Sequence, residues 1–384
     1  MEIRWLCAED YDELLEMLNY TFGNKYGRKM DFVAEQPKMW IRDDEHMAKH
    51  LGVFEDGRLC SVVGMYPMSV NILGEHLTFA TTGNVATLPE YEGRGYFSKL
   101  FPMIMEECDK RGIDAARLGG GRQRYGRYGF EPCGTLYRFN ISPHNVKHYF
   151  KDAGVGVEFK RITPEDTDAL MVCHELVSTR PFYVERSPLC NLRDVYLSMC
   201  SKEGTPYLAT KGGEPIGYLS VYKDEVKIHE LGAYTIEDFG SMIAAWQTRV
   251  GANVSVPAAP YQTAELRLLT ECADMMSADI PSHFRVSNWV HLCGALMKLK
   301  ASMETLPDFE FSLEIEEYGT ITLYCRHGDA GCEWSNRGGD LLLDKHSAAR
   351  LLFGPMPGTL VADVPLAARA WLPLPMTWAT NDYV

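Results

Sequence analysis

Apolar residues recur at two different spacings along the first third of the chain. The segment DYDELLEMLNYTF begins at Asp10. In it, Leu14, Leu18 and Phe22 repeat at the spacing of one helix face, which predicts an amphipathic helix. The predicted order of this third is a helix from Asp10, a hairpin that turns at Glu55-Asp56-Gly57, a strand pair around Gly74-Glu75, a helix from Gly95 to Lys110 and a strand at Ala115–Leu118.

The middle third repeats part of this order. Its predicted elements are a helix that starts at Thr163-Pro164, strands that turn at Gly212-Gly213 and at Lys223-Asp224, and a helix that opens at Thr235 and runs through Trp246. The repetition indicates a faint internal duplication of one helix–meander–helix unit.

The last third has a different pattern. Phe309, Phe311 and Leu313 alternate with polar residues, which predicts a half-buried strand. Asp344 is predicted to cap a short helix that ends at Gly354. We therefore predict an α+β fold class with mixed α/β sheets, in three domains at residues 1–150, 151–283 and 284–384.

The composition is that of an ordinary globular protein. The 384 residues are 46% hydrophobic and 23% charged, and no apolar run reaches the roughly 18 residues of a transmembrane helix, so no membrane partner is expected. The N-terminus, MEIRWLCAED, lacks an apolar signal core, which favours a cytoplasmic location. The 11 cysteines include no C-x-x-C pair, so reduced thiols and no bound metal are expected.

The balance of charge excludes one class of partner. The 38 basic and 52 acidic residues give a formal charge of −14, and no dense Lys/Arg stretch interrupts the sequence. A nucleic-acid partner is not expected, because neutralising phosphates needs a basic face. An acidic surface would concentrate cationic small molecules, although solubility alone also explains such a charge.

The segment NVATLPEYEGRGYFSKLF joins a predicted strand to a predicted helix through a tight loop. Gly93 and Gly95 allow a ligand to approach the backbone closely, and the N–H groups at a helix start attract anions. The loop is therefore a candidate cradle for a pyrophosphate. On its own, a G-x-G before a helix is more often a plain turn.

A second motif, RYGRYGFEPCG, begins at Arg124, past one predicted helix and one predicted strand. The phenol of Tyr125 is protonated at neutral pH, because its ordinary pKa is about 10. It could donate a proton to a leaving thiolate. The same position also suits a tyrosine that packs in the core with a satisfied hydroxyl.

Together, the two motifs resemble the acetyl-CoA-binding core of GNAT N-acetyltransferases. The pattern V-A-T-x-P-x-Y-x-G-R-G, a helix, a strand and Y-x-x-x-G-F covers about residues 3–140. The resemblance implies acetyl-CoA as co-substrate and Tyr125 as general acid. The cofactor-binding residues that it implies are Val85, Ala86 and Thr87 in the strand, Gly93, Arg94, Gly95, Tyr96, Phe97 and Ser98 in the loop, and Gly120 and Gly121 before the tyrosine.

The three-part pattern resembles the Eis (enhanced intracellular survival) family more specifically. That family has a catalytic GNAT domain, a degenerate second one and a C-terminal domain similar to sterol carrier proteins, and its Y-G-R-F-G-Y is similar to Y-G-R-Y-G-F here. No glycine-rich loop follows Glu230-Leu231-Gly232, so the middle domain is not expected to bind acetyl-CoA. The resemblance implies aminoglycosides as first acceptors, direct transfer in a ternary complex, and a homo-oligomer, namely a hexamer.

The Eis resemblance also implies where the base and the acceptor lie. In that family the base is the chain's own C-terminal carboxylate, which here belongs to Val384. The apolar tail PLPMTWATNDYV independently predicts a docked end. The family's acceptor pocket is acidic and aromatic, and the matching residues are Tyr26, Trp40 and Asp382, the last of which could hold a second ammonium; each is also explained as a surface or core residue.

Two other functions stay open on the sequence. One is N-acetylation of lysine side chains or polyamines. The other is a non-catalytic lipid- or metabolite-binding protein with a decayed GNAT domain. Glu92 favours decay, because family loops usually begin with a basic residue there, whereas Tyr125 and the intact G-R-G argue against it.

Overall fold

The structure, a computed structural model, describes residues 1–186 and 191–383. Its strands are β1 (Glu2–Trp5), β2 (His50–Glu55), β3 (Arg58–Ile72), β4 (Glu75–Thr87), β5 (Ala115–Leu118), β6 (Glu131–Cys133), β7 (Leu136–Ile141), β8 (Val157–Arg161), β9 (Phe182–Val184), β10 (Gly204–Lys211), β11 (Glu214–Tyr222), β12 (Ile228–Ala233), β13 (Val254–Ala258), β14 (Met275–Asp279), β15 (Ser282–Val286), β16 (Phe309–Ile315), β17 (Gly319–Arg326), β18 (Asp329–Trp334) and β19 (Leu341–Leu343). Its helices are α1 (Tyr11–Tyr26), α2 (Phe32–Glu35), α3 (Asp44–Met47), α4 (Tyr96–Lys110), α5 (Arg122–Tyr125), α6 (Pro143–Asn145), α7 (Thr167–Ser178), α8 (Leu192–Cys200), α9 (Ile236–Val250), α10 (Thr263–Cys272), α11 (Trp289–Met303), α12 (Lys345–Phe353) and α13 (Leu366–Arg369).

The predicted elements of the sequence are present, and the mixed α/β fold class is confirmed. One helix starts later than predicted. Thr163 was expected to open it, but α7 begins at Thr167. The Asp166 carboxylate accepts from the Thr163 backbone N–H at 2.8 Å and from its hydroxyl at 3.0 Å, which holds residues 163–166 in a turn. No helix in the described ranges combines the length and apolar composition needed to cross a bilayer.

The first sheet has the order β1-β2-β3-β4-β5-β15-β6, with β9 paired to β3. Its neighbours are antiparallel except β4 and β5, which run parallel because α4 makes the crossover between them. The helix buries Leu100, Phe101 and Ile104 in a core shared with β2, β3 and β5. This parallel pair positions the loop that precedes α4.

The middle of the chain repeats this arrangement, as the faint duplication predicts. A sheet of order β12-β11-β10-β8 is followed by α9 and then by β13, just as the first meander is followed by α4 and β5. Next to β13 lies β7, and next to β7 lies β14.

Each repeat receives one strand from the other. β7 follows β6 in the chain but lies between β13 and β14, whereas β15 follows β14 but lies between β5 and β6. Strand pairing therefore joins residues on both sides of the predicted domain limits after residues 150 and 283. Residue 283 itself lies inside β15. A local hydrophobic pattern identifies a strand but not its partner. The three-domain division stays a prediction.

The last part of the chain forms a sheet of order β18-β17-β16-β19, in which β16 and β19 run parallel. Beyond it, the terminal segment packs onto the first sheet. Trp378 is buried and stacks on Phe79 of β4 with ring centroids 5.6 Å apart. The backbone N–H of Thr135 donates to Met376 O at 2.9 Å. The predicted docking of the tail is confirmed as far as Tyr383; Val384 lies outside the described residues.

Candidate active site

β4 and β5 separate after a short parallel contact. Pairing joins Phe79–Thr82 to Ala115–Leu118, after which β4 continues to Thr87 with β3 as its partner. Backbone groups of β4 that face β5 beyond Thr82 thus lack a strand partner there. Such an open edge can pair with an extended ligand.

A β-bulge lies where the two strands separate. Val62 pairs with Ala86 and Gly64 with Gly83, so Asn84 and Val85 face Val63 alone. Asn84 has a left-handed backbone, with φ of 51°. The bulge bends β4 away from β5 and opens the space described below.

A buried network of three polar side chains stabilises the bulge. Asn84 Nδ2 donates to the Tyr66 hydroxyl at 2.5 Å, and that hydroxyl lies 2.6 Å from His50 Nε2. Burial lowers the pKa of His50 to about 4, so the imidazole is neutral and its Nε2 can accept the Tyr66 proton. No sequence motif predicts this network, because its members are far apart along the chain.

The loop after β4 carries two glycines in the left-handed region, Gly93 with φ of 79° and Gly95 with φ of 77°. A Cβ built on either residue would meet no atom within 4 Å. Glycine is therefore needed for the backbone conformation, and the space above it is open. The first N–H groups of α4 have no partner within the helix, and Gly95, Tyr96 and Phe97 at its start line the cavity in front of the loop.

We call the cavity in front of this loop the loop groove. Its volume is about 760 Å³. It is lined by Thr21, Phe22, Asn24, Lys25, Val85, Ala86, Thr87, Pro89, Tyr91, Glu92, Gly93, Gly95, Tyr96, Phe97 and Arg124. The predicted cofactor residues of β4 and the loop are thereby brought together, with two exceptions that follow.

Arg94 and Ser98 do not line the loop groove. The Arg94 guanidinium donates to Glu55 Oε2 at 2.9 Å, and the same carboxylate accepts from the Tyr96 hydroxyl. Ser98 Oγ accepts instead from Arg127 at 3.4 Å. The basic residue of the G-R-G motif is thus held by an acid on β2, which sequence reasoning did not foresee.

The basic side chains of the loop groove come from elsewhere in the chain. Lys25 extends from the end of α1, and Arg124 from α5 lies 5.5 Å from the Phe97 ring centroid. Glu92 is exposed and also lines the groove. The positive charges of Lys25 and Arg124 therefore offset the negative charge of Glu92, which occupies the position where a basic residue was expected.

A second cavity, of about 620 Å³, lies on the other side of the β4 bulge. We call it the tyrosine cavity. It is lined by Phe22, Lys25, Tyr26, Met30, Phe32, Glu35, Gln36, Thr81, Thr82, Gly83, Asn84, Val85, Arg117, Gly119, Gly120, Gly121, Arg124, Tyr125, Lys202 and Tyr383. Four residues, Phe22, Lys25, Val85 and Arg124, line both cavities, so the two meet at the strand opening.

Tyr125 lines the tyrosine cavity next to Arg124, which lines both cavities, and most of its side chain is buried. Its ring packs against Phe97, Phe101 and Phe130 at centroid distances of 5.9, 5.3 and 6.4 Å. Burial raises the pKa of the phenol above its usual value, while the nearby Arg124 charge opposes that shift. The phenol is therefore a stable proton donor at neutral pH.

Gly120 provides the surface on which the Tyr125 ring lies. A Cβ on Gly120 would be 2.3 Å from Tyr125 Cε2, closer than any real contact, whereas a Cβ on Gly121 would meet nothing within 4 Å. Glycine is thus required at the first position alone. This contact gives a physical reason for one of the two glycines before the tyrosine.

We expect Gly120→Ala to push the Tyr125 ring out of place and lower kcat by about 10²-fold, since a shift of about 1 Å can cost that much. The control is Gly121→Ala, which adds the same methyl group to open space. Steady-state kinetics and a melting temperature for each variant measure the effect on turnover and on folding. Equal kcat in the two variants would show that the contact between Gly120 and the Tyr125 ring does not affect turnover.

Two predicted acceptor residues do not reach the tyrosine cavity, and a third does. Tyr26 lines it. Trp40 is buried beside Phe32, in the core between α1 and the first sheet. Asp382 is 2% exposed, and its carboxylate accepts from Arg186 at 2.9 and 3.1 Å. Its charge is therefore paired within the protein rather than offered to an ammonium. The predicted base, Val384, lies outside the described residues.

Residues 2–133 match the sequence profile of the acetyltransferase (GNAT) domain. The match covers about the first third of the chain. The match spans the β4 bulge, the glycine loop, α4 and Tyr125. All the residues that line the loop groove lie within this match, as do those that line the tyrosine cavity except Lys202 and Tyr383.

Solved structures extend the likeness of fold to nearly the whole chain. A GCN5-related N-acetyltransferase from Kribbella flavida has 19% identity and a TM-score of 0.66, covering 98% of this chain and 97% of that one. A probable N-acyltransferase from Enterococcus faecalis has 16% identity, a TM-score of 0.67 and the same coverage. Eis1 from Mycobacterium abscessus has 14% identity and a TM-score of 0.66, covering 99% and 98%. Among curated proteins, none matches the sequence.

Several residues of the two cavities had no signal in the sequence. Arg117 and Lys202 line the tyrosine cavity but come from β5 and from the segment after α8. Lys25 and Glu55 lie in unremarkable surface patterns. Arg124 alone was within reach of sequence reasoning, because it precedes the tyrosine of the second motif.

Proposed function

We propose that the chain is an acetyl-CoA-dependent N-acetyltransferase that acts on a primary amine of a small molecule. One observation carries this proposal: the loop groove and the tyrosine cavity meet at the opening between β4 and β5, and Tyr125 lines the tyrosine cavity next to Arg124, which lines both. When bound, acetyl-CoA supplies a thioester carbonyl that an uncharged amine can attack.

The residues of the loop groove fit the co-substrate. The open space above Gly93 and Gly95 and the N–H groups at the start of α4 suit a pyrophosphate. Lys25 and Arg124 add positive charge. The unpaired edge of β4 around Val85 suits the extended, amide-bearing arm of the co-substrate.

Tyr125 is the proposed general acid. Its phenol holds a proton at neutral pH, and its Oη can deliver that proton to a departing thiolate. The amine must lose a proton before it reacts, and the Val384 carboxylate stays the predicted base. Tyr383, which is bonded to Val384, lines the tyrosine cavity. Transfer is proposed to be direct, with no cysteine as nucleophile.

The finer assignments belong to this proposal as well. Aminoglycosides are the first acceptor class to test, followed by lysine side chains and polyamines. Membership of the Eis family, the sterol-carrier-like nature of the last third, and a hexamer stay predictions. The −14 charge of the chain favours cationic acceptors through long-range attraction. The side chains that line the tyrosine cavity do not favour a cationic acceptor.

A second candidate is a binding protein with an inactive GNAT domain. Two features of the loop favour it: Glu92 lines the groove, and the Arg94 guanidinium donates to Glu55 instead of facing the groove. This candidate predicts binding of a metabolite without turnover.

A thiol-release assay separates the two candidates. Acetyl-CoA is incubated with the protein and a panel of kanamycin, spermidine, a lysine peptide and simple primary amines, while calorimetry measures acetyl-CoA binding. We expect binding together with release of CoA that depends on an amine. Absence of binding, or binding without release across the panel, would favour the inactive domain.

A further inference from the structure

The charged side chains that line the tyrosine cavity are mostly cations. They are Lys25, Arg117, Arg124 and Lys202, and Glu35 carries the single carboxylate among the lining residues that the structure describes. Glu35 accepts from the Arg28 guanidinium at 2.9 Å. None of the four cations pairs with a carboxylate within residues 1–186 and 191–383. The cavity therefore presents a surplus of positive charge.

Two of these cations are assigned to the co-substrate. Lys25 and Arg124 line the loop groove as well as the tyrosine cavity, so phosphate groups bound in the groove would lie against them. Arg117 and Lys202 line only the tyrosine cavity of the two. Within residues 1–186 and 191–383 no acid pairs with these two cations, so their charge is available to the other substrate as well as to the Val384 carboxylate, the predicted base.

Arg117 is 1% exposed, and its partners are neutral. Its guanidinium donates to Ser282 Oγ and to Thr81 Oγ1, each at 3.1 Å. The rings of Trp378 and Tyr383 lie 4.8 and 4.3 Å from it. Burial lowers the pKa of Arg117 to about 10. A buried cation without an anion is costly, so an anion that enters the cavity is stabilised there.

Lys202 faces the same cavity near Arg117. Its Nζ lies 6.0 Å from the Tyr383 ring centroid, and its backbone N–H donates to Glu35 O at 2.8 Å. Burial lowers the pKa of Lys202; Glu35 opposes this shift, and the charge of Arg117 adds to it. Two cations that repel each other across one cavity form a ready site for an anion.

Among the described residues, the nearest buried acids are already paired with another cation. Asp382 and Glu230 both accept from Arg186, at 2.9 Å each, and all three side chains are buried. Lys202 and Tyr383 also line a neighbouring cavity of about 620 Å³, in which Asp224 and Asp279 accompany Lys227 and Arg138.

We propose that the acceptor carries an anionic group, a carboxylate or a phosphate, in addition to its amine. Arg117 and Lys202 bind that group, and the amine lies toward Tyr125. This inference rests on the proposed N-acetyltransferase function and narrows its substrate class. It makes an acidic amine, rather than a polycation, the preferred acceptor.

Matched pairs of amines test the inference. γ-Aminobutyrate is compared with n-butylamine, and phosphoethanolamine with ethanolamine; kanamycin and spermidine represent the polycations. We expect kcat/KM to be at least about tenfold higher for an acidic member than for its neutral partner, as one charge-assisted contact allows. The two pairs distinguish a carboxylate from a phosphate.

A variant tests whether Lys202 is responsible. Lys202→Met is expected to raise KM for the preferred acidic amine by about tenfold and to leave KM for acetyl-CoA unchanged. The control is Lys211→Met, at an exposed lysine that lines neither cavity. Melting temperatures verify that both variants fold.

The outcomes are separable. Turnover that is as fast or faster with neutral amines and polycations would overturn the acidic-acceptor inference and leave the acetyltransferase standing. No turnover with any amine, despite bound acetyl-CoA, would overturn both. An acidic preference that Lys202→Met leaves intact would remove Lys202 from the site.

Discussion

Tyr125→Phe is expected to lower kcat by about 10²–10⁴ while the protein stays folded, as for the loss of a positioned general acid. The substitution removes one hydroxyl and keeps the ring, which packs between Phe97, Phe101 and Phe130. Because the change affects a step after binding, KM for acetyl-CoA should change little. Steady-state kinetics with the best acceptor of the panel measure both constants.

The matched control is Tyr128→Phe. Tyr128 packs against Phe101 at 4.7 Å in the same aromatic cluster, but it does not line the tyrosine cavity. Its loss should leave kcat within a factor of about two, as expected for a residue outside the reacting groups. If Tyr125→Phe lowers kcat by less than about threefold, Tyr125 only packs in the aromatic cluster and is not the general acid.

Gly95→Glu is expected to abolish acetyl-CoA binding, with an increase in Kd of about 100-fold or more. The new carboxylate would stand in the groove where phosphates are proposed to bind, and juxtaposed like charges cost several kcal/mol. Calorimetric titration with acetyl-CoA measures the effect directly. Thiol release should disappear with it.

Backbone strain is the alternative explanation for such a loss, since Gly95 has φ of 77°. Gly112→Glu controls for it, because Gly112 has φ of 66° at the other end of α4, and a Cβ there also meets nothing within 4 Å. Both variants should lose roughly 1–2 kcal/mol of stability from the left-handed conformation. Unchanged acetyl-CoA affinity in folded Gly95→Glu, or equal loss in both variants, would remove the loop from the cofactor site.

The pH profile gives an independent measure of Tyr125. Burial raises the pKa of its phenol above the ordinary value of about 10, so the group is protonated and able to donate at every lower pH. We therefore expect kcat to hold on the alkaline side up to about pH 10. A fall in kcat between about pH 7 and 9 that Tyr125→Phe removes would show instead that the phenol titrates in that range.

The position of Asp382 shows how sequence reasoning can identify a residue and still misassign its use. An acid near the end of the chain suits an ammonium, and the tail is indeed docked beside the tyrosine cavity. Arg186, remote in sequence, binds that carboxylate. Ion pairs between distant segments have no local signature, so the charge available to a ligand can be counted only after folding.

The sequence by itself determined the elements with local causes. The helical spacing of Leu14, Leu18 and Phe22 produces α1, and glycine turns produce the hairpins. The G-R-G loop and the tyrosine motif lie in the part of the chain that matches the GNAT profile. Tertiary structure alone decided three other features: the exchange of β7 and β15 between the sheets, the ring of Tyr125 resting on Gly120, and the surplus of positive charge in the tyrosine cavity. The physical reason is common to all three. Periodicity and turn chemistry act over a few neighbouring residues, whereas strand partners, close contacts and unpaired charges depend on segments that meet only when the chain folds.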